Sequence, residues 1–183
     1  MKELNLFPDK NFWDGKNVFI SGHSGFKGGW LSLWLKELGA NVTGYSLEPN
    51  TKPSFYNACD IGSVTNSIFG NILDYKKLES SINKFKPEII IHMAAQALVL
   101  ESYKNPLNTY ETNIIGTLNI LEIIRNKSYV KVFINVTSDK CYENIEKKYS
   151  YKESDRMGGH DPYSSSKGCS ELVTSAYRLS FFN

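Results

Sequence analysis

The sequence contains no apolar run near the roughly 20 residues that a membrane span needs, and Met1 to Lys10 holds no apolar core of the kind that marks a secretory leader. Cysteine is scarce: Cys59, Cys141 and Cys169 are odd in number, widely spaced and without a CxxC pair. That excludes a disulfide framework and suits reduced thiols in a cytoplasmic protein. Histidine is as rare, and His23, His92 and His160 show no metal-ligand spacing, so no metal is expected. An excess of one charge is also missing. The net charge is +2 with no basic block, which removes the electrostatic footprint of nucleic-acid binding. There is no internal repeat, low-complexity tract or linker. What remains is 183 residues, 41% hydrophobic and 22% charged, a composition that suits one globular domain with a sizeable core.

Short apolar runs alternate with amphipathic stretches, which predicts an α/β fold: a Rossmann-like, doubly wound parallel sheet. Strands are expected at 17–21, 42–46, 67–72, 88–93 and 130–136, the last apolar enough to be covered on both faces. Helices are expected at about 25–38, 75–85, 105–126 and from Pro162 towards Phe182, with Pro106 and Pro162 near helix starts, where proline is tolerated. In the first helix Trp30, Trp34 and Leu38 recur every four residues beside Leu31 and Leu35, which predicts one wide buried stripe ended by Gly39. Residues 54–65 read as irregular and 141–161 as a polar loop. A complete fold of this kind carries at least one more strand, so residues 1–183 read as a dinucleotide-binding domain that stops before its substrate domain.

Between the first strand and helix stands Gly22-His23-Ser24-Gly25-Phe26-Lys27-Gly28. A sharp turn there lets the backbone approach a pyrophosphate with no Cβ in the way, and the helix N-terminus offers free N–H groups. A tight βα turn without a ligand has the same pattern, but the strand–turn–helix context favours the phosphate reading. Lys27 serves either the phosphates or a solvated helix surface, while His23 reads as a loop residue with no evident partner. At the end of the second strand, where an acid commonly holds the adenosine ribose, stands Ser46, with Glu48 two residues on and no arginine near for a 2′-phosphate. This leans towards NAD over NADP. Ala94, Ala95 and Gln96 close the fourth strand with small residues over which a cofactor can pass, and Asn113 reads as a buried amide that ties backbone groups together.

Tyr163 and Lys167 lie four residues apart, on one helix face. An ordinary tyrosine titrates near 10, so to act as a base near neutrality it needs a cation beside it. An exposed pair of no consequence has the same spacing; the order of elements before it favours catalysis. The fifth strand ends in Thr137-Ser138-Asp139-Lys140-Cys141-Tyr142, a hydroxyl, an acid and an amine at the sheet edge where open α/β sheets place their sites. A plain polar turn is the other reading of that stretch.

Together these residues resemble the extended short-chain dehydrogenases and, more narrowly, the CDP-glucose 4,6-dehydratases, from about Phe12 to Phe182. The distinctive stretches are the glycine loop with histidine second and lysine before its last glycine, His92-Met93-Ala94-Ala95-Gln96, the Ser138-Asp139-Lys140 triplet, and Met157 through Gly168. The resemblance implies that bound NAD takes a hydride from C4 of CDP-glucose and returns it to C6. It also implies that Tyr163 removes the hydroxyl proton, Lys167 lowers the tyrosine pKa and holds the nicotinamide ribose, Ser138 orients the sugar, and Asp139 is the acid for water loss. It extends the cofactor contacts to Gly22, Ser24, Gly25, Phe26, Lys27, Gly28, Ser46, Asn71, Ile72, Ala94, Ala95 and Gln96. Two departures stand out: Lys140 replaces the glutamate base of related dehydratases, and Asn71-Ile72 replaces the family's Asp-Ile at the adenine. A lysine serves as base only with its pKa depressed from about 10.4. The resemblance further implies a deoxysugar pathway feeding lipopolysaccharide O-antigen and a homodimer built on two long helices. A sugar-nucleotide epimerase or oxidoreductase on the same scaffold, and a non-catalytic NAD-binding remnant, are the alternatives, since fold does not fix chemistry.

Overall fold

A computed structural model describes residues 8–146 and 148–182; the reading of a missing leader concerns residues mostly outside that range. The chain enters through α1 (Lys10–Trp13), β1 (Asn17–Ser21) and α2 (Phe26–Glu37), followed by β2 (Asn41–Ser46). Two single-turn helices, α3 (Phe55–Ala58) and α4 (Ile61–Val64), occupy the stretch expected to be irregular, before β3 (Asn66–Phe69). Then come α5 (Tyr75–Phe85), β4 (Ile89–His92), α6 (Val99–Lys104), α7 (Pro106–Tyr110), a π-helical turn (Glu111–Ile115) and α8 (Gly116–Ile124). β5 (Val132–Asn135), a 3₁₀ turn (Asp139–Cys141) and α9 (Pro162–Phe181) complete the described chain.

The five strands are parallel in the order β3-β2-β1-β4-β5. Successive connections leave β1 in opposite directions, so a crevice opens beyond the carboxyl ends of β1 and β4, the switch point where such sheets bind ligands. Side chains alternate across the sheet and build two apolar layers. On one face Phe19, Tyr45 and Ile90 pack with Leu78 and Ile82 of α5 and Ile120, Ile123 and Ile124 of α8. On the other, Val18, Ile20, Val42, Ile89 and Ile91 pack with Leu35 of α2. Ile90 is fully buried; cutting it to alanine would cost about 2–5 kcal/mol through lost transfer energy and the cavity left behind.

Four expectations are corrected. Trp30 and Trp34 are not in a buried stripe: each is 55% exposed, and α2 instead turns Gly28, Gly29, Ser32 and Leu35 inward. Gly28 lies against the glycine loop and Gly29 against Phe55 of α3, which leaves the tryptophans outward, and Trp30 stacks on Phe55 at 5.0 Å. β5 is covered on one face only. Phe133 and Asn135 face α8 and α9, whereas Val132 (40%) and Ile134 (43%) on the other face are exposed. The helix expected over 105–126 opens at Pro106 as anticipated but is interrupted by the π-helical turn, and the short α6 precedes it. β3 ends at Phe69, so Asn71 and Ile72 lie in the loop beyond it.

Candidate active site

The glycine loop is built by close approach. Gly22 has φ +83°, and a Cβ there would stand 2.8 Å from Ala94 N and 2.9 Å from Met93 C. A Cβ on Gly28 would stand 2.2 Å from Gly22 O. The first glycine thus lets the loop lie on the end of β4, and the third lets α2 lie on the loop. Gly25 occupies the N-cap of α2 and supplies no side-chain acceptor, so the first N–H groups of the helix are left for something else. Phe26 and Lys27 are exposed on that first turn, and Ser24 Oγ donates to Leu47 O at 2.8 Å, tying the loop to the segment after β2.

Beneath the loop His23 is fully buried, which corrects the expectation of a partnerless loop residue. Its Nδ1 pairs with Ser46 Oγ at 3.0 Å and its Nε2 with Ser67 Oγ at 3.0 Å, while Tyr56 donates to Ser67 at 2.8 Å. Burial pushes its pKa down to about 4, so it is neutral at pH 7. The signal that it packs inward was Gly44 in β2: a Cβ there would meet the imidazole at 2.1 Å. Ser46 itself is buried at the end of β2, its hydroxyl engaged by His23, and Glu48 is exposed. Asn71 is exposed, with Oδ1 accepting from Leu73 N at 2.9 Å, whereas Ile72 points into the core.

Ala94, Ala95 and Gln96 are half-buried beside the glycine loop. Asn113 does what a buried amide was expected to do. Its Oδ1 accepts from Gln96 N at 2.9 Å, and its Nδ2 donates to Gln96 O at 3.1 Å and to Ser166 Oγ of α9 at 2.8 Å. Gln96 spends its own amide on Thr109 Oγ1 and Leu98 O. His92, also fully enclosed, pairs with Ser21 Oγ at 2.6 Å and Thr117 Oγ1 at 3.1 Å. Burial, reinforced by the Lys167 charge, lowers its pKa to about 3.

α9 begins at Asp161, whose carboxylate accepts from Ser164 N at 2.9 Å, and Pro162 takes the first position as expected. Tyr163 and Lys167 are both buried on it. Lys167 Nζ reaches Val136 O at 3.4 Å, at the end of β5. Burial pushes this ammonium down to about 8, and Glu171 opposes that shift. α9 lies against the 3₁₀ turn at Gly168, where a Cβ would stand 3.3 Å from Cys141 O. In that turn Ser138 Oγ donates to Asp139 Oδ1 at 3.1 Å and accepts from Lys140 N at 3.3 Å, and Asp139 and Lys140 are exposed. A functional-site neighbour that sequence reasoning missed is Glu171, which accepts a hydrogen bond from Thr137 Oγ1; its signal was a place one turn beyond Lys167. Among the described residues no group of His, Cys, Asp or Glu is arranged to hold a metal. A groove of about 600 Å³ opens elsewhere, between the ends of α8 and α9 and the start of β5, and holds none of these residues.

A parallel 3-2-1-4-5 sheet, a glycine loop after β1 and a Tyr-x-x-x-Lys helix over the end of β5 define a Rossmann-like domain of the short-chain dehydrogenase/reductase type. Residues 19–182 match the family model described as GDP-mannose 4,6 dehydratase, and the chain belongs to that family. It is 54% identical over 175 residues to the CDP-glucose 4,6-dehydratase of Salmonella typhimurium, an alignment covering 96% of this chain and 49% of that protein. The chain thus spans about half the length of that curated relative. Among solved structures it superposes on a UDP-glucose 4-epimerase of Thermotoga maritima with UDP-glucose, with a TM-score of 0.81 and 25% identity over 91% of this chain and 52% of that one. It also matches a dTDP-glucose 4,6-dehydratase of Bacillus anthracis in complex with NAD, with a TM-score of 0.75 and 24% identity over 92% and 52% of the two chains.

Proposed function

We propose that this chain is the NAD-binding half of a CDP-glucose 4,6-dehydratase, a lyase that converts CDP-glucose to CDP-4-keto-6-deoxyglucose and water. The observation that carries the reading is the Tyr163–Lys167 pair, buried on one face of α9 with the ammonium on the end of β5. The dinucleotide fits the residues present: Gly22 and Gly28 let the loop fold tightly between the end of β4 and α2, Gly25 leaves the α2 N-terminus uncapped by a side chain, and Ala94 and Ala95 are small. Gly22, Ser24, Gly25, Phe26, Lys27 and Gly28 hold the pyrophosphate, Ser46, Asn71 and Ile72 the adenosine side, and Ala94, Ala95, Gln96, Tyr163 and Lys167 the nicotinamide side. Ser46 is neutral and already bonded to a neutral His23, so the adenosine ribose meets no carboxylate there.

When bound, NAD supplies the hydride acceptor for C4 oxidation and the donor for C6 reduction. The chain's own residues move the protons. Tyr163 takes the C4 hydroxyl proton, and the buried Lys167 ammonium stabilises the phenolate that does so. Ser138 accepts or donates at the sugar hydroxyl, and Asp139 protonates the departing C6 hydroxyl so that it leaves as water. Lys140 is exposed in the same turn and takes the place of the C5 base of related dehydratases. The dehydratase reading is preferred to an epimerase because of the 54% identity and because Asp139 follows Ser138. We further place the enzyme in the cytoplasm, as a homodimer serving deoxysugar synthesis for O-antigen. Three free cysteines support that compartment, and no helix among the described residues is long and apolar enough to cross a membrane.

The test is thermal unfolding of this chain titrated with NAD and with NADP. A ligand that binds only the native state adds about 2.7 kcal/mol at one hundred times its Kd. A rise with NAD supports the site. A chain that melts cooperatively and responds to neither would leave a folded domain with an idle loop, and the remnant reading would replace this one.

A further inference from the structure

α9 carries Tyr163, Lys167 and Glu171 at successive intervals of four residues, so all three share one helix face. That face meets the end of β5 in register. Lys167 Nζ donates to the carbonyl of Val136, and the next residue, Thr137, donates its hydroxyl to Glu171 Oε1. Two consecutive residues of the β5 end are therefore gripped by two consecutive turns of α9, and the residue that follows is Ser138. Lys167 is 7% exposed, and among the described residues it makes no ion pair. A buried ammonium with no counter-charge nearby is costly. The charged and titratable groups that act on it are Glu171, one turn on along α9, and the neutral His92 on β4, while the 3₁₀ turn brings Cys141 and Asp139 towards Glu171. Of the carboxylates, Asp139 is exposed and bonded to Ser138, which leaves Glu171 as the half-buried one facing this end of the strand.

We propose that Glu171 is a positioning residue of the Tyr163–Lys167 site: through Thr137 it clamps the end of β5 that carries Ser138, and its carboxylate is the counter-charge of the Lys167 ammonium. The proposal rests on the reading of Tyr163 and Lys167 as the working pair. Three variants separate the two roles. Glu171→Gln keeps an oxygen for Thr137 but removes the charge, Thr137→Val removes the clamp but keeps the charge, and Glu171→Asp keeps a carboxylate. The readout is the midpoint of the Lys167 Cε–Hε resonances in 13C-lysine-labelled protein, assigned with Lys167→Arg, with the melting temperature and NAD response recorded on the same samples.

In the parent chain the Lys167 midpoint is expected at about 8, lowered by burial. Glu171→Gln is expected to lower that midpoint by about one pH unit, a tenfold loss of proton affinity. Glu171→Asp restores most of it, and Thr137→Val leaves it in place while broadening the amide signals of 136–139. An unchanged midpoint in Glu171→Gln overturns the counter-charge. So does an equal fall in Thr137→Val, which would trace the effect to packing alone. A parent chain that ignores NAD while Lys167 still responds to Glu171 would sink the proposed function and leave the electrostatic coupling standing.

Discussion

Replacing Gly28 with alanine is expected to damage folding and ligand binding together, whereas the same change at Gly25 damages binding alone. At Gly28 the new methyl would lie 2.2 Å from Gly22 O, 2.8 Å from Gly22 C and 2.9 Å from His23 Cα. All three are backbone atoms of a loop already pressed on Ala94 N, so relief requires α2 to lift away from the loop by about 1 Å. Overpacking of that kind costs about 1–3 kcal/mol. For a chain of this size each kcal/mol moves Tm by about 2–4 °C, so a fall of about 2–12 °C is expected. At Gly25 the backbone is extended, φ −76° and ψ 165°, and the methyl's nearest neighbour is Gly22 O at 3.4 Å, an ordinary contact. Its Tm should stay within about 2 °C of the parent, since nothing in the fold is displaced. Its NAD-induced stabilisation should fall by at least about 1.4 kcal/mol at fixed ligand, a tenfold loss in Kd, because the methyl stands where the pyrophosphate must approach. Differential scanning fluorimetry of the three proteins, with and without NAD, measures both quantities. A Gly28→Ala protein that melts like the parent would refute the packing argument, and a Gly25→Ala protein with undiminished NAD response would refute the cradle.

Acid should destabilise the fold through its two buried imidazoles. His23 and His92 stay neutral in the fold down to about 4 and about 3, whereas unfolded histidine binds a proton near 6.5, so between pH 6 and 4 the unfolded state holds more protons. Their contribution is fully present above about 6.5 and is lost as pH falls, at up to roughly 1.4 kcal/mol per unit for each residue; urea unfolding at several pH values should show a slope that His92→Gln about halves. Asn113→Leu should cost about 1–3 kcal/mol, read by denaturant midpoint, because it removes the side-chain partner of the half-buried Gln96 N–H and C=O. In a protein extended to the full length of its relatives, Asp139→Asn should abolish water loss yet preserve oxidation at C4, seen as accumulated reduced cofactor; an unimpaired dehydration rate would remove Asp139 from the acid role.

Much of this was legible in the sequence because it depended on local patterns. The strand order of sequence elements, the glycines and the Pro106 and Pro162 helix starts are short-range signals, and all reappear. The failures share a cause. Periodicity predicts burial of Trp30 and Trp34 because it reports one face without saying which. Gly28, Gly29 and Ser32 face inward instead, because close approach to the glycine loop and to Phe55, and not side-chain apolarity, decided the contact. The covered face of β5 failed for a related reason: its apolar run looks the same whether one face or both are covered. His23 and Glu171 escaped because their partners are 23, 44 and 34 residues away, and no local window contains such pairs.

The two halves of the candidate site are joined by a hydrogen-bond chain whose direction can be worked out. Thr117 gives its single hydroxyl proton to Asn113 O at 2.7 Å, so it can only accept from His92 Nε2. The imidazole therefore carries its proton on Nε2, a tautomer inferred from the network, and its Nδ1 accepts from Ser21 O–H. Ser21 Oγ in turn accepts from Met93 N and Ala94 N, the backbone against which Gly22 packs. From the other side Asn135 Nδ2 donates to Ser170 Oγ of α9, which donates to Thr117. Met93 N–H is shared between Ser21 O and Ser21 Oγ, and no acceptor in this chain is left for a second proton on His92. Protonating Nδ1 would face Ser21 with a third donor and leave the hydroxyl proton without a partner, at a cost added to that of burying charge. The same neutral ring thus fixes the floor of the glycine cradle and the seat of the Tyr163–Lys167 helix. The two parts of the site are held in one geometry as long as that ring stays neutral.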